Sequence, residues 1–173
     1  MELEVDNLSA APEPFAHTFT PEELSLEQGE ELRLLTGASI AGTASRKGDE
    51  VRLRGKISAR IEALCDRCAR TVLVPLEIEF NAPYVPATES ASIENVELNQ
   101  PDLDFSVYEG NTVAMNDLVR EQILLALPLR LLCREDCKGL CPTCGAYLNK
   151  EACACGHTES DPRWAVLAAL KKK

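Results

Sequence analysis

The chain has 173 residues, a formal net charge of −10, eight cysteines and only eight aromatic residues. At roughly 100 to 200 residues per domain, this length predicts one domain, or one with an appendage, whose core does not depend on disulfides. No run of about 18 apolar residues is present, which argues against a transmembrane helix. Since the N-terminus also lacks a secretory signal, we expect a cytoplasmic protein without membrane contact, whose thiols stay reduced and serve as metal ligands or redox groups.

The charge is distributed unevenly. Residues 1–44 and 71–132 each carry a net charge of −8, whereas residues 45–70 carry +4 and residues 133–173 carry +2. Affinity for polyanions comes from lysine and arginine, so the basic island from Arg46 to Arg70 is the region that could meet phosphate. The alternative interpretation of this island is a solvated strand face paired with neighbouring acids.

Residues 1–30 combine acids, small residues and three prolines, which predicts an irregular, acidic N-terminal arm. A β-rich body is expected over residues 31–132. Its first strand is predicted within residues 31–45, where Leu32 and Leu34 alternate with polar neighbours, and Lys47-Gly48-Asp49 supplies a turn to the next strand.

Apolar residues occupy every second position from Val51 to Ile61 and again from Val72 to Phe80. This period of two predicts two strands with one face in the core and one in water. A two-residue turn at Asp66-Arg67 would pair residues whose numbers sum to 133, setting Lys56 opposite Glu77 and Arg54 opposite Glu79. In that register, four arginines have no acidic partner: Arg52, Arg60, Arg67 and Arg70.

The rest of the body contains a proline-rich stretch and one helix. Residues 81–103 are predicted to be loop-rich, with one short strand at residues 93–98. Asn116 is the predicted N-cap of a helix over residues 117–127 with a wide apolar stripe, which Pro128 ends. A second, short helix is predicted over residues 162–170, within the C-terminal segment 133–173.

Six cysteines lie between residues 133 and 155. The sequence Cys141-Pro142-Thr143-Cys144-Gly145 has the form of a zinc knuckle, in which two thiolates bind one metal and the glycine allows the tight turn. A tetrahedral site needs two more ligands. We favour a structural Zn²⁺ bound by Cys141, Cys144, Cys153 and Cys155, because the loop over residues 145–152 resembles a short ribbon turn.

Other ligand sets remain open. Cys133 and Cys137 are alternates, six thiolates could hold two zinc ions or a cluster, and the thiols could be buried without metal. Cys65 and Cys68 form a separate pair that could be structural, metal-ligating or redox-active. A redox pair normally precedes a helix, whereas a strand follows here. The fold class predicted overall is α+β, an antiparallel β-sheet body with one main helix and a C-terminal zinc-knuckle segment.

Several motifs together resemble the YceD family, the large ribosomal RNA subunit accumulation proteins of bacteria and plastids. They are the helix sequence of residues 117–128, the cysteine-rich sequence of residues 133–145, Cys153-x-Cys155, Asp161-Pro162-Arg163-Trp164 and Cys65-x2-Cys68. The resemblance spans residues 30–170. It implies a non-enzymatic cytoplasmic factor in the accumulation or processing of 23S rRNA.

We therefore expect a binding factor whose partners are a pre-ribosomal particle, 23S rRNA and/or basic ribosomal proteins. Arg52, Arg60, Arg67 and Arg70 are the predicted RNA contacts, and the acidic flanks would suit basic proteins. Two alternatives remain: a thiol-disulfide redox protein using Cys65 and Cys68, and a zinc-stabilised protein-binding adaptor. No arrangement typical of hydrolysis or phosphoryl transfer is evident in the sequence.

Overall fold

The structure is a computed structural model that describes residues 1–24, 26, 32–87, 105–155 and 163. These residues contain eight strands, one α-helix and a 3-10 turn at Val5–Asn7. The elements are β1 (Glu2–Glu4), β2 (Glu13–Phe19), β3 (Leu32–Leu34), β4 (Ala38–Lys47), β5 (Glu50–Leu64), β6 (Thr71–Pro86), β7 (Ser106–Tyr108), β8 (Thr112–Ala114) and α1 (Met115–Ala126).

Strands β5 and β6 form the long central hairpin of the main sheet. The predicted alternation is confirmed, since the odd positions of β5 and the even positions of β6 turn toward the core. We call this side of the sheet the core face and the other side the open face. An antiparallel sheet can leave one face in water because its polar side chains alternate with buried ones.

The predicted register of this hairpin was wrong by two residues. Paired residue numbers sum to 135, so Lys56 lies opposite Glu79 and forms an ion pair with it at 2.8 Å. The turn spans the four residues 66–69 instead of two, because the backbone N–H of Cys65 donates to the carbonyl of Arg70 at 2.8 Å. A shift of two residues keeps both apolar rows on the same face.

The predicted turn between β4 and β5 is confirmed, with Gly48 at a φ of 65°. The order of the main sheet is β2-β4-β5-β6-β7, and β3 pairs with the far end of β5. Strand β7 runs parallel to β6, whereas the other pairs are antiparallel. The sheet is therefore mostly antiparallel but mixed.

The expectation of an irregular N-terminal arm was wrong for the described part of residues 1–30. Strand β1 pairs with β8 in a small second sheet, and β2 pairs with β4 at the edge of the main sheet. Pro14 lies in β2, and an edge strand tolerates proline because one row of its backbone groups needs no partner.

Helix α1 begins at Met115, one residue before the predicted cap, and Asn116 does not cap it. Its N-cap is Ala114, which makes no side-chain cap bond. Instead, the backbone N–H of Met115 donates to the carbonyl of Met1 at 3.1 Å. The helix covers the core face with its buried residues, which are Met115, Leu118, Val119 and Ile123.

Strand β6 extends to Pro86, so residues 81–86 are strand where a loop was predicted. The strand predicted at residues 93–98 lies outside the described residues. So does the helix predicted over residues 162–170, apart from Arg163.

Candidate metal centres

The backbone of residues 141–146 closes into a tight turn around two cysteines, which we call the C-terminal knuckle. The N–H of Cys141 donates to the carbonyl of Ala146 at 2.9 Å, and the N–H of Gly145 donates back to the carbonyl of Cys141 at 2.8 Å. Gly145 has a φ of 74°, a left-handed conformation that favours glycine. The tight turn predicted at Gly145 is therefore present.

Residues 65–70, at the tip of the β5–β6 hairpin, form the same turn, which we call the hairpin knuckle. Its first N–H, on Cys65, donates to the carbonyl of Arg70, and the N–H of Ala69 donates to the carbonyl of Cys65, both at 2.8 Å. The fifth residue is again left-handed, although it is Ala69 with a φ of 52°. The two Cys-x2-Cys motifs thus share one backbone design.

Around the C-terminal knuckle, the sulfurs of Cys141, Cys144, Cys153 and Cys155 all lie within 4.8 Å of one another. This is the set of four that the sequence favours. Backbone hydrogen bonds from Cys144 and Thr143 lower the pKa of Cys141 to about 6. The side-chain hydrogen bond with Cys144, together with burial, raises the pKa of Cys155 to about 12. We call this group the C-terminal cluster.

The hairpin knuckle contributes to a second group of four sulfurs, from Cys65, Cys68, Cys133 and Cys137, also within 4.8 Å of one another. We call it the hairpin cluster. Cys65 and Cys68 are therefore not a separate pair, and Cys133 and Cys137 are brought to them instead of to the C-terminal knuckle. Two signals in the sequence point this way: eight cysteines make two sets of four, and both Cys-x2-Cys motifs are followed by a small residue.

Backbone hydrogen bonds attach the hairpin tip to the C-terminal segment. The N–H of Asp66 donates to the carbonyl of Leu131 at 2.8 Å, and the N–H of Leu131 donates to the Asp66 carboxylate at 2.7 Å. Further along, the N–H of Leu140 donates to the carbonyl of Arg67 at 3.0 Å. This close approach requires Gly139, since a Cβ there would lie 2.7 Å from the same carbonyl oxygen.

The thiols of the hairpin cluster differ in acidity. Burial opposes ionisation of Cys65, but backbone hydrogen bonds from Cys133, Arg67 and Cys68 outweigh it and lower its pKa to about 6. Burial and the neighbouring thiol of Cys137 raise the pKa of Cys133 to about 12. A bound cation would take the place of the protons that these sulfurs otherwise keep, because metal binding requires thiolates.

The sulfur positions of both clusters suit a single metal ion. Zn²⁺ binds four thiolates tetrahedrally at about 2.3 Å, which separates the sulfurs by about 3.8 Å. In the hairpin cluster, Cys65 and Cys137 sulfurs are 3.9 Å apart, and those of Cys68 and Cys133 are 3.7 Å apart. These separations exceed the disulfide bond length of about 2.05 Å. Either cluster could therefore hold a metal ion.

The four arginines predicted to contact RNA lie in two places. Arg52 and Arg60 are on the open face of β5, and Arg52 does have an acidic partner, Glu50, at 3.1 Å. Arg67 donates to the carbonyl of Cys137 at 2.6 Å. Arg70 donates to the hydroxyl of Tyr147 at 3.2 Å and lies over its ring. Arg67 and Arg70 therefore also hold the hairpin tip against the cysteine-rich segment.

Among the described residues, no helix combines the length and apolarity needed to cross a membrane.

No solved structure matches the chain. An uncharacterised protein of Mycobacterium tuberculosis is 30% identical over 120 residues, which are 69% of this chain and 55% of that protein. The chain thus spans about half the length of the first mycobacterial relatives it matches.

Two other relatives cover different shares. A chloroplastic large ribosomal RNA subunit accumulation protein of Arabidopsis thaliana, a YCED homologue, is 36% identical over 65 residues, 38% of this chain and 20% of its own. The uncharacterised protein YlbN of Bacillus subtilis is 26% identical over 144 residues, 83% of this chain and 79% of its own. The sequence model of the large ribosomal RNA subunit accumulation protein YceD matches residues 53–171, so the chain belongs to the YceD family.

Proposed function

We propose that this chain is a non-enzymatic cytoplasmic factor in large ribosomal subunit biogenesis, which supports 23S rRNA accumulation or processing by binding RNA and/or ribosomal proteins. The observation that carries the proposal is that the chain belongs to the YceD family, whose name refers to large ribosomal RNA subunit accumulation. The most reactive side chains are the thiols, and their arrangement in two groups of four suits metal ligands better than nucleophiles.

The open face of β5 supports contact with RNA. Arg52, Arg54, Lys56 and Arg60 project from the same side of this strand. Lys56 is paired with Glu79, and Arg54 donates to Asn81. Within the described residues, the Arg60 side chain has no hydrogen-bond or ion-pair partner, so it could meet phosphate without breaking an internal contact. Of these four side chains, Arg60 would therefore lose the least interaction energy with the protein on binding phosphate.

The C-terminal cluster supports the predicted structural Zn²⁺, with Cys141, Cys144, Cys153 and Cys155 as ligands. In this proposal zinc has no role in chemistry. It fixes a segment of more than twenty residues that has little apolar core of its own, as metals do in small domains.

The test is made in the source organism. Depletion of the protein should lower the ratio of 23S to 16S rRNA and the amount of large subunits on a sucrose gradient. Complementation with the wild-type gene should restore both. An unchanged rRNA ratio after complete depletion would contradict the proposal.

RNA contact is tested separately, by reversing charge on the open face. The double substitution Arg52→Glu and Arg60→Glu avoids the hairpin tip, where Arg67 and Arg70 also hold the structure. It should weaken association with precursor particles and reduce the salt dependence of binding by about one unit of slope per lost phosphate contact. Arg67→Gln and Arg70→Gln are then assayed individually, with zinc content as a check on folding.

The matched control is the double substitution Arg130→Glu and Lys150→Glu. Both residues are exposed, and the pair changes the net charge by the same amount. Equal weakening by the two double variants would show that only total charge matters, and would remove the open face from the proposal.

A second candidate function is a zinc-stabilised protein-binding adaptor. It is favoured by two exposed leucines: Leu125, in the last turn of α1, is 72% exposed, and Leu129, three residues after the helix, is fully exposed. Crosslinking in cells followed by sequencing of bound RNA separates the candidates, because a protein that binds only other proteins would not crosslink to RNA.

The third candidate, a redox dithiol of Cys65 and Cys68, requires that Cys65→Ser abolish cellular activity.

A further inference from the structure

We propose that the hairpin cluster binds a Zn²⁺ ion of its own, separate from the C-terminal one, and that Asn149 is a positioning residue for it. The chain would then carry two tetrathiolate zinc centres that use all eight cysteines. The metal content of the purified chain does not depend on the proposed role in ribosome biogenesis, so the two proposals can fail separately.

The sulfur geometry of the hairpin cluster favours a single ion. Four sulfurs within 4.8 Å of one another fit around one ion. An iron–sulfur cluster is a poorer fit, because it binds its cysteines through different iron atoms and so spreads them farther apart. The two clusters also share no cysteine, which favours two single ions over one cluster with bridging sulfurs.

The hairpin knuckle also supplies hydrogen-bond donors to a sulfur of the cluster. Backbone hydrogen bonds reach Cys65 from Arg67 and Cys68, at the second and third positions after it. The same two positions of the C-terminal knuckle, Thr143 and Cys144, bond to Cys141. Donors of this kind stabilise thiolates and are a regular part of metal sites. The hairpin knuckle thus has the chemistry of a ligand turn.

Asn149 supplies one more donor, from the loop between Cys144 and Cys153. Its side-chain N–H lies 3.3 Å from the sulfur of Cys137. Its side-chain oxygen accepts from the backbone N–H of Lys138 at 2.8 Å and from Arg134 at 2.6 Å. Because the oxygen has two donors, the amide is oriented with its nitrogen toward the sulfur. A loop of the C-terminal cluster therefore completes the surroundings of the hairpin cluster.

The hairpin cluster is also largely buried. Cys65, Cys68 and Cys137 are buried, and around them pack Val72, Leu132 and Tyr147, so the group is a small core of its own. Four thiols are a weak basis for such a core without a metal, since their S–H groups are poor donors. One Zn²⁺ would join residues that are about 70 positions apart in sequence.

Native mass spectrometry of the full chain, purified without chelator, tests the metal count. We expect two Zn²⁺ per wild-type chain. The variant Cys68→Ser/Cys137→Ser and the variant Cys144→Ser/Cys153→Ser should each retain one. One zinc in the wild type, or iron in the hairpin cluster, would overturn the proposal.

Because the hairpin variant could fail to fold, the wild-type chain is also titrated with Co²⁺ after metal removal. Tetrathiolate Co²⁺ has intense visible bands, which should grow until two equivalents are bound. Saturation at one equivalent would overturn the second site without recourse to any variant.

The role of Asn149 is tested by competition with a chromophoric chelator. Asn149→Asp keeps an oxygen for Lys138 and Arg134 but replaces the donor to Cys137 with negative charge. It should lower the affinity for one of the two zinc ions by about 10- to 100-fold, which is the usual effect of losing an outer hydrogen bond to a ligand. Asn149→Ala should have the same effect. Lys150, the neighbouring exposed residue, provides the control, and Lys150→Ala should leave both zinc affinities unchanged. Wild-type affinity in Asn149→Asp would contradict the positioning role.

Discussion

The hairpin cluster and the C-terminal cluster use the same knuckle in different surroundings. Three of the four hairpin cysteines are buried, whereas in the C-terminal cluster only Cys141 is buried. The hairpin knuckle also closes the longest strand pair of the main sheet. A local turn therefore supplies the ligand geometry, while tertiary packing decides how firmly a centre is tied to the fold.

The largest expected difference between the clusters is in Tm, when one ligand is removed from each cluster in separate variants. Cys137→Ser should lower Tm by roughly 10 °C or more, because it removes a buried ligand of the ion proposed to join the hairpin tip to the C-terminal segment. Cys144→Ser should lower the Tm of the sheet by only a few degrees, because its cluster lies outside the main core. Thermal denaturation in zinc-containing buffer measures both. Equal losses would contradict the difference between the clusters.

Two glycines give the next largest contrast. Gly139 and Gly145 both have positive φ, 78° and 74°. A Cβ on Gly139 would meet the Arg67 carbonyl, whereas one on Gly145 meets nothing within 4 Å. Gly145→Ala should cost about 1 kcal/mol of unfolding free energy, and Gly139→Ala about 3 kcal/mol, since it adds a clash to the same backbone strain. Urea denaturation decides this, and similar costs would argue against the close approach.

Zinc release should also separate the clusters. A chelator reaches exposed ligands first, because a shielded site excludes it. Release from the wild-type chain should therefore occur in two phases, with the C-terminal ion leaving first. In Cys144→Ser/Cys153→Ser only the slow phase should remain. A single phase in the wild type would contradict the comparison.

The smallest effect is expected at Ala69, which occupies the position of Gly145 in the hairpin knuckle. Its φ of 52° is strained for a residue with a Cβ. Ala69→Gly should stabilise the chain by at most about 1 kcal/mol, because the added freedom of the unfolded chain offsets part of the relief. A clear loss of stability in urea denaturation would show that the turn does not resemble its C-terminal counterpart.

The strand pattern could be predicted from the sequence, but the register could not. Alternation located β5 and β6 because side-chain direction has a period of two in any strand. The four-residue turn depends on a left-handed alanine, Ala69, which carries no sequence signal comparable to glycine. Strand β2 was missed because Pro12 and Pro14 indicate irregular structure unless the strand is known to be at an edge.

The candidate site was predicted in part. The Cys141 knuckle follows from local spacing, because glycine marks its turn. The hairpin cluster also includes Cys133 and Cys137. Its assembly depends on where the hairpin tip meets the chain after α1. Those contacts, such as Asp66 with Leu131, join residues 65 positions apart, and spacing carries no information about them.

The eight cysteines form two separate groups of four sulfurs, and we expect each group to bind one zinc ion. Zinc-edge X-ray absorption of the purified chain, with the zinc content of the same sample counted, tests this expectation, because the spectrum averages ligand type and distance over all the zinc present. We expect two zinc ions per chain, with four sulfur neighbours at about 2.3 Å and no metal–metal scattering. Nitrogen or oxygen in the ligand shell, or a second metal close by, would contradict it.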